Sequence, residues 1–149
     1  MKKDYTIIPS MIGAQPSIIW SYDDPNAAKP FNDAFPLKVA TDQCHHLAVC
    51  LWYVSTLQSL NDSTAIHYAL LGELNKWTAV SHQRFPSIVT DTTKNEVTIT
   101  VQGVSGEIIP VVVFHSVVSL ITVNCSISAD NDQAHLIITT SNVLCSSVI

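Results

Sequence analysis

The residue types that bind metal ions are concentrated in one short segment, which contains Cys44, His46 and Cys50. On an extended strand these three side chains share one face, and zinc is commonly bound by cysteine thiolates and histidine imidazoles. Structural zinc sites use cysteine pairs separated by two to four residues, however, and the chain contains no such pair. A metal site at Cys44, His46 and Cys50 is therefore a secondary hypothesis, and we expect no cofactor.

Serine and histidine are adjacent at two places, Ser81-His82 and His115-Ser116, and these are the residue types of a hydrolase nucleophile and its base. A catalytic pair meets in space rather than in sequence, and the glycine-flanked serine turn of many hydrolases is absent from the chain. A small hydrolase or metal enzyme is the second alternative function. The sequence favours a protein that is not an enzyme.

The acidic residues do not form a catalytic or calcium-binding pattern. Glu73, Glu96 and Glu107 are far apart in the sequence, so spacing alone brings no two carboxylates together. Asp130 and Asp132 resemble the start of a calcium-binding loop, but the glycine and the distal glutamate of such a loop are missing. We interpret that segment as a turn rich in Asp and Asn.

Aromatic rings are the second kind of side chain that could bind a ligand. The candidates are Trp20, Tyr22, Trp52 and Trp77, because exposed rings stack on sugars and anchor protein partners. Trp52 and Tyr53 are consecutive, so on a strand one of the two faces away from the core. These residues make a carbohydrate-binding or accessory domain the first alternative function.

The chain that must position these residues is poor in charge. Only 13% of its 149 residues are charged, about half the usual share, and 47% are hydrophobic. A disordered protein is excluded, because disorder requires few apolar residues and a high net charge. One arginine and six lysines neutralise too few phosphates for nucleic-acid binding. The length favours a single domain over residues 1–149.

The C-terminal half shows the pattern of antiparallel strands. In 96–102 apolar residues alternate with Thr and Gln, as in a half-buried strand, and 117–128 alternates in the same way. The uncharged run 108–123 has 16 residues, too few to span a membrane, and we interpret it as core strands. Its Pro110 lacks a hydrogen-bond donor and is expected near a strand start, a bulge or an edge. We predict a mainly-β protein with an antiparallel β-sandwich, Ig-like or jelly-roll-like.

Two segments fit either kind of secondary structure. In 47–57 helical and extended periods both match, and the content of Val, Trp, Tyr and Thr favours a strand. In 65–77 apolar residues recur at helical spacing, whereas Gly72 in the middle opposes a helix. One short helix near 64–77 is therefore a candidate element, and α+β is the alternative fold class.

Four cysteines, Cys44, Cys50, Cys125 and Cys145, allow three pairings that the sequence does not distinguish. We favour reduced, buried thiols over a disulfide, because free cysteine is among the most buried residue types. The N-terminal segment does not resemble a signal peptide, since Pro9 interrupts its apolar stretch. The protein is expected either in the cytoplasm or outside the cell with its signal removed.

Together these observations favour a non-enzymatic β-sandwich that acts as an interaction or assembly module. A low charge is typical of a surface that is buried between subunits, although a neutral surface rich in Ser and Thr explains it equally well. The segment 108–123 carries no lysine and is the expected source of an edge strand for a neighbouring chain. The expected partner is a second copy or another protein, with a carbohydrate as the alternative.

Overall fold

A computed structural model describes residues 6–13, 16–21, 28–38, 51–61, 65–74 and 76–147. These residues are mainly β, and their one helical segment is the 3-10 turn Pro9–Ile12, so the predicted mainly-β class is confirmed. By its internal contacts the chain divides into two compact units, Met1–Leu57 and Gln58–Ile149. The single domain predicted over residues 1–149 would require the two units to fold as one body, and this stays a prediction.

The described strands of the first unit are β1 (Thr6–Ile7), β2 (Ser17–Ser21), β3 (Lys29–Phe31), β4 (Leu37–Lys38) and β5 (Trp52–Thr56). All pairings are antiparallel: β1 pairs with β4, and a three-stranded sheet has the order β3-β2-β5. The described buried cluster of the first unit consists of Ile19, Phe31 and Leu37. The structure describes residues 51–57 of the segment 47–57, and strand β5 there confirms the predicted strand.

The described strands of the second unit are β6 (Gln58–Ser59), β7 (His67–Glu73), β8 (Ser87–Asp91), β9 (Glu96–Gln102), β10 (Ile108–His115), β11 (Ser119–Ser126), β12 (Gln133–Ile138) and β13 (Val143–Ser147). They form two antiparallel sheets with the orders β11-β10-β7-β6 and β13-β12-β9-β8. Apolar residues of both sheets meet in one buried core, as in a β-sandwich.

The alternation predicted for 96–102 is present in β9. Val97, Ile99 and Val101 are fully buried, while Thr98 and Thr100 between them are partly exposed. Successive side chains on a strand point to opposite faces, so every second residue of β9 enters the core between the sheets. The period of the sequence pattern and the burial of the side chains therefore agree.

The edge strand expected within 108–123 corresponds to β11, an outer strand of its sheet that begins at Ser119, whereas β10 lies inside that sheet. Strand β10 pairs with β11 on one side and with β7 on the other. Pro110 is accommodated where β7 ends: Glu73 is opposite Val111, and Leu74 beyond it donates its N–H to the Pro110 carbonyl oxygen. The nitrogen of Pro110 points to the same side as its carbonyl, toward Leu74 just beyond the end of β7, so the missing N–H removes at most one bond at the end of the ladder.

The segment 65–77 contains strand β7, so the short helix expected near 64–77 is wrong where the structure describes it. Most residues of β7 are buried. A strand that is covered on both faces has a nearly continuous apolar sequence, and such a sequence fits helical and extended periods alike. Gly72 has φ +95° where the register of β7 against β10 shifts, and this conformation is incompatible with an α-helix. The described residues contain no α-helix, so the α+β alternative is not supported.

A disulfide between Cys125 and Cys145 joins the two sheets of the second unit, with the Cα atoms 5.2 Å apart. It corrects the expectation of reduced thiols at these two positions; Cys44 and Cys50 lie outside the described residues. Cys125 is on β11 and Cys145 on β13, the outer strands of different sheets. Their proximity depends on how the sheets pack, and a periodic pattern within one strand does not reveal it.

Candidate functional site

The aromatic candidates of the first unit lie on the paired strands β2 and β5. Trp20 exposes only 3% of its surface, because its ring stacks on Tyr53 with centroids 4.4 Å apart. Its Nε1–H donates to Ser55 Oγ at 3.3 Å, so Trp20 is a core residue rather than the exposed ring that was expected. Trp52 is half-buried against the apolar cluster, and Lys29 Nζ lies 6.0 Å from its ring centroid.

Four further candidates, Tyr22, Cys44, His46 and Cys50, lie outside the residues that the structure describes. The metal-site hypothesis at Cys44, His46 and Cys50 therefore stays a prediction. Elsewhere, in the described part of the chain, no group of three or more His, Cys, Asp and Glu side chains is arranged to hold a metal ion.

The histidine of the pair His115-Ser116 is fully buried and engaged with the backbone. Its Nδ1 accepts the N–H groups of Val117 and Val118 at 3.2 and 3.3 Å. The hydroxyl oxygen of Ser116 accepts the N–H of His67 at 3.0 Å. The imidazole therefore stabilises the turn after β10, and its geometry is not that of a base acting on Ser116.

Arg84, the only arginine of the chain, lies between two glutamates. Its Nε donates to Glu73 Oε2 at 2.9 Å, and its Nη2 and Nη1 donate to the two carboxylate oxygens of Glu107 at 3.0 and 3.2 Å. Nη1 also donates to the carbonyl oxygen of Gln102 at 2.7 Å. All three guanidinium nitrogens are engaged, so the orientation of Arg84 is fixed.

The ends of three strands position this ion-pair cluster of Glu73, Arg84 and Glu107. Glu73 ends β7, Gln102 ends β9, and Glu107 directly precedes β10. The N–H of Gln102 donates to the Arg84 carbonyl oxygen at 2.8 Å, which ties the turn before β8 to the end of β9. Gly103 leaves room for the carboxylate, because a Cβ at this position would lie 2.7 Å from Glu107 Oε2.

The electrostatics of the cluster favour ionised groups. Hydrogen bonds from Arg84, followed by the N–H of Val104, hold the pKa of the Glu107 carboxyl below its usual 4.5. Burial acts to lower the pKa of Arg84, but its hydrogen bonds and charge interactions with Glu107 and Glu73 outweigh burial and raise it. A general acid needs a raised carboxyl pKa, so the Glu107 carboxylate is not suited to that role.

Glu73 and Arg84 of the cluster line an open pocket of about 490 Å³, which we call the polar pocket. Besides Glu73 and Arg84, the described residues that line it are Lys76, Thr78, Ser81, Gln83, Gln102 and Gly103. Trp77, the third described aromatic candidate, lies in the chain between two lining residues and exposes 74% of its surface.

Sequence reasoning did not predict the ion-pair cluster. The pairing of β7 with β10 brings Glu73 and Glu107 to the same strand ends, and their spacing along the chain does not indicate this. The available signal was composition, since a single arginine in a chain with 13% charged residues is expected to serve a specific ion pair.

Strand β8 is one of the two outer strands of its sheet, and among the described residues it pairs with β9 alone. Its Ile88 and Val89 expose 47% and 60% of their surfaces. Consecutive residues of a strand point to opposite faces, so both faces of β8 are open to solvent. An exposed apolar edge that carries neither lysine nor proline is a template for pairing with another strand. We call this strand the β8 edge.

Comparisons of the chain with protein families, with curated proteins and with solved structures find no match. In the described part of the chain, no helix has the length and apolar character required to cross a membrane.

Proposed function

We propose that the chain is a non-enzymatic interaction module that associates with a second copy of itself through the β8 edge. The observation that carries this proposal is the open, apolar character of β8 on both faces. In an antiparallel ladder every second residue directs its N–H and C=O groups outward, and a second strand would satisfy these groups. The low charge of the chain, 13%, supports the same proposal.

The residues of β8 suit pairing with an identical strand. A two-fold axis through Val89 would place Ile88 opposite Thr90 and Ser87 opposite Asp91, with no like charges facing each other. Asp91 is the one charged residue of the strand. Its Oδ1 accepts hydrogen bonds from the Thr93 hydroxyl and the Thr93 and Lys94 N–H groups, so this charge is already compensated.

The expected association is weak and reversible. A strand of five residues is about 17 Å long, which allows only a few backbone hydrogen bonds between copies. An interface of this size lies at the lower end of specific protein–protein interfaces. The population of dimer should therefore rise with protein concentration rather than being complete at all concentrations.

Sedimentation velocity of the wild type and two variants over a range of concentrations tests the proposal. Val89→Lys places a charge on the β8 edge and should leave the protein monomeric, because a desolvated lysine opposes strand pairing. The matched control is Val104→Lys, since Val104 is 72% exposed in the turn before β10. It should associate as the wild type does.

Two results would contradict the proposal. One is a wild-type protein that stays monomeric at every concentration tested. The other is a Val89→Lys variant that associates as strongly as the wild type while its circular dichroism shows a native fold, because association would then use a different surface.

A further inference from the structure

Strand β11 contains the tripeptide Asn124-Cys125-Ser126, which has the Asn-X-Ser form of an N-glycosylation acceptor. The middle residue of an acceptor is any residue except proline, and Cys125 satisfies this condition. Such tripeptides also occur by chance. A true acceptor must in addition be exposed, and its protein must pass through the compartment in which glycans are attached.

The fold leaves the side chain of Asn124 open to solvent. Asn124 and Ser126 are exposed, whereas Cys125 between them is fully buried. Successive residues of a strand point to opposite faces, so Cys125 enters the core and Asn124 points away from it. Strand β11 is an outer strand, and in the described part of the chain β10 alone pairs with it. A bulky group on Asn124 therefore displaces no core side chain.

The disulfide of the same tripeptide indicates a suitable compartment. Cys125 is bonded to Cys145. Disulfides form and persist in secreted proteins and in the lumen of the endoplasmic reticulum, and they are rare in the cytoplasm. N-glycans are attached in that same lumen. The exposure of Asn124 and the oxidation of Cys125 are thus two separate features that suit a glycosylated protein.

An apolar patch lies beside Asn124 on the outer face of the sheet. Pro110 on β10 is directly opposite Asn124, and Ile108 is opposite Ser126 and exposes 63% of its surface. Diagonal neighbours of an antiparallel pair are about 7–8 Å apart, so Ile108 is within reach of a sugar attached to Asn124. The C–H groups of a sugar ring form an apolar face. A glycan on Asn124 would therefore reduce the exposed apolar surface here.

We propose that Asn124 carries an N-linked glycan. In the attachment reaction Asn124 Nδ2 forms a bond to C1 of the first sugar of an oligosaccharide carried on a polyprenyl diphosphate. The bond between C1 and the diphosphate oxygen breaks, the polyprenyl diphosphate leaves, and the amide nitrogen releases one proton.

The order of synthesis allows this reaction to precede the disulfide. Cys145 follows Cys125 by 20 residues, and chains grow at about 5–20 residues per second, so the two cysteines are synthesised about 1–4 s apart. During this interval Cys125 cannot yet be bonded to Cys145, and the segment around Asn124 is free to bind the transferring enzyme in an extended form.

The modification goes beyond association through the β8 edge and does not depend on it. Strand β8 lies at the opposite end of its sheet from β13, the strand that the disulfide links to β11. A glycan on Asn124 therefore leaves the β8 edge free. It also hinders another chain from pairing with β11, because covering an outer strand prevents strand addition.

Secretion of the full chain from cultured mammalian cells, behind a cleaved signal peptide, tests the proposal. Peptide-N-glycosidase F removes N-glycans and leaves an aspartate in place of each glycosylated asparagine. Treatment should lower the mass of the wild type, and peptide mapping should locate an aspartate at position 124. The proposal is overturned if the mass does not change, or if mapping finds a glycan at Asn61 alone, the asparagine of the second such tripeptide.

Three substitutions test whether the tripeptide is the acceptor. Ser126→Ala removes the hydroxyl that an acceptor requires and should abolish the glycan on Asn124, whereas Ser126→Thr keeps a hydroxyl and should retain it. The matched control is Thr122→Ala, because Thr122 is also exposed on β11, and this variant should be glycosylated as the wild type is. A glycan on Asn124 that persists in Ser126→Ala would contradict the proposal.

Discussion

Nε2 of His115 lies 2.9 Å from the carbonyl oxygen of Thr139, and this contact joins the two sheets of the second unit. His115 ends β10 in one sheet, whereas Thr139 follows β12 in the other. Because Nδ1 accepts two backbone N–H groups, the ring proton resides on Nε2 and is donated to Thr139. One fully buried imidazole thus satisfies three backbone groups.

Replacing this imidazole should be strongly destabilising. We predict that His115→Ala lowers the free energy of unfolding by about 3 kcal/mol, because it leaves buried backbone groups unpaired and creates a cavity. Urea denaturation followed by tryptophan fluorescence measures the loss. The control is His135→Ala on β12, where the side chain is partly exposed and the expected loss is below about 1 kcal/mol. Equal losses for the two variants would contradict the structural role of His115.

The disulfide should make a separate contribution to stability. Cys125 and Cys145 are 20 residues apart, and cross-linking a loop of this length stabilises a protein by about 3 kcal/mol in the chain-entropy model. We predict that the double variant Cys125→Ala/Cys145→Ala has a free energy of unfolding lower by this amount, measured by urea denaturation. Mass spectrometry of the wild type without reductant should detect the linked peptides. Free thiols at both positions in the wild type would contradict the structure.

The ion pair of Glu107 with Arg84 predicts a pH-dependent effect of Glu107→Gln. The pKa of Glu107 is lowered in the folded state, so its stabilising contribution is present above the usual value of 4.5 and is lost as pH falls through the lowered pKa. At neutral pH the variant should lose about 1 kcal/mol, a modest value because a third of the side chain is exposed. The difference from wild type should shrink in acid.

Urea denaturation at a series of pH values measures this difference. Glu96→Gln, which replaces the one glutamate outside the ion-pair cluster, is the matched control and should not reproduce the neutral-pH loss. A difference between Glu107→Gln and wild type that stays constant from neutral to acidic pH would exclude the ion pair as its cause.

The turn after β8 predicts a low pKa for Asp91. The Thr93 hydroxyl, 2.6 Å from Asp91 Oδ1, is the main cause, followed by the Lys94 N–H, and together they lower the pKa from 3.8 to about 2. The associated stability is present above 3.8 and is lost as pH falls toward 2. Thr93→Val should raise the pKa of Asp91 in a ¹³C NMR titration, whereas Thr92→Val should not. A pKa that both substitutions leave unchanged would rule out the Thr93 hydroxyl as the cause.

The parts of the fold that follow from local alternation could be predicted from the sequence. In β9 and β11 one face is covered, so burial repeats every second residue and Cys125 is buried between the exposed Asn124 and Ser126. In β7 nearly all residues are buried, the period is lost, and a helix was an equally good interpretation. Gly72 in the middle of the segment argues against the helix, and in the structure this residue has a positive φ.

The candidate sites depend on relationships between strands, which local patterns do not contain. Glu107 meets Arg84 across 23 residues of sequence, and this contact follows from the order of strands in the sheets. The β8 edge was missed for a similar reason, because an uncovered strand and a core strand have the same β-branched composition. Trp77 is a candidate from its residue type alone, and the pocket lined by the residues on either side of it in the chain is evident only in the structure.

The central claim is that β8 pairs with β8 of a second copy, and hydrogen–deuterium exchange at low and high protein concentration tests it most directly. Outward amides of an edge strand exchange readily unless another strand pairs with them. We predict slower exchange over Ser87–Asp91 at the higher concentration, with no such change in Val143–Ser147, the other outer strand of the same sheet. Equal exchange over Ser87–Asp91 at both concentrations would contradict the claim.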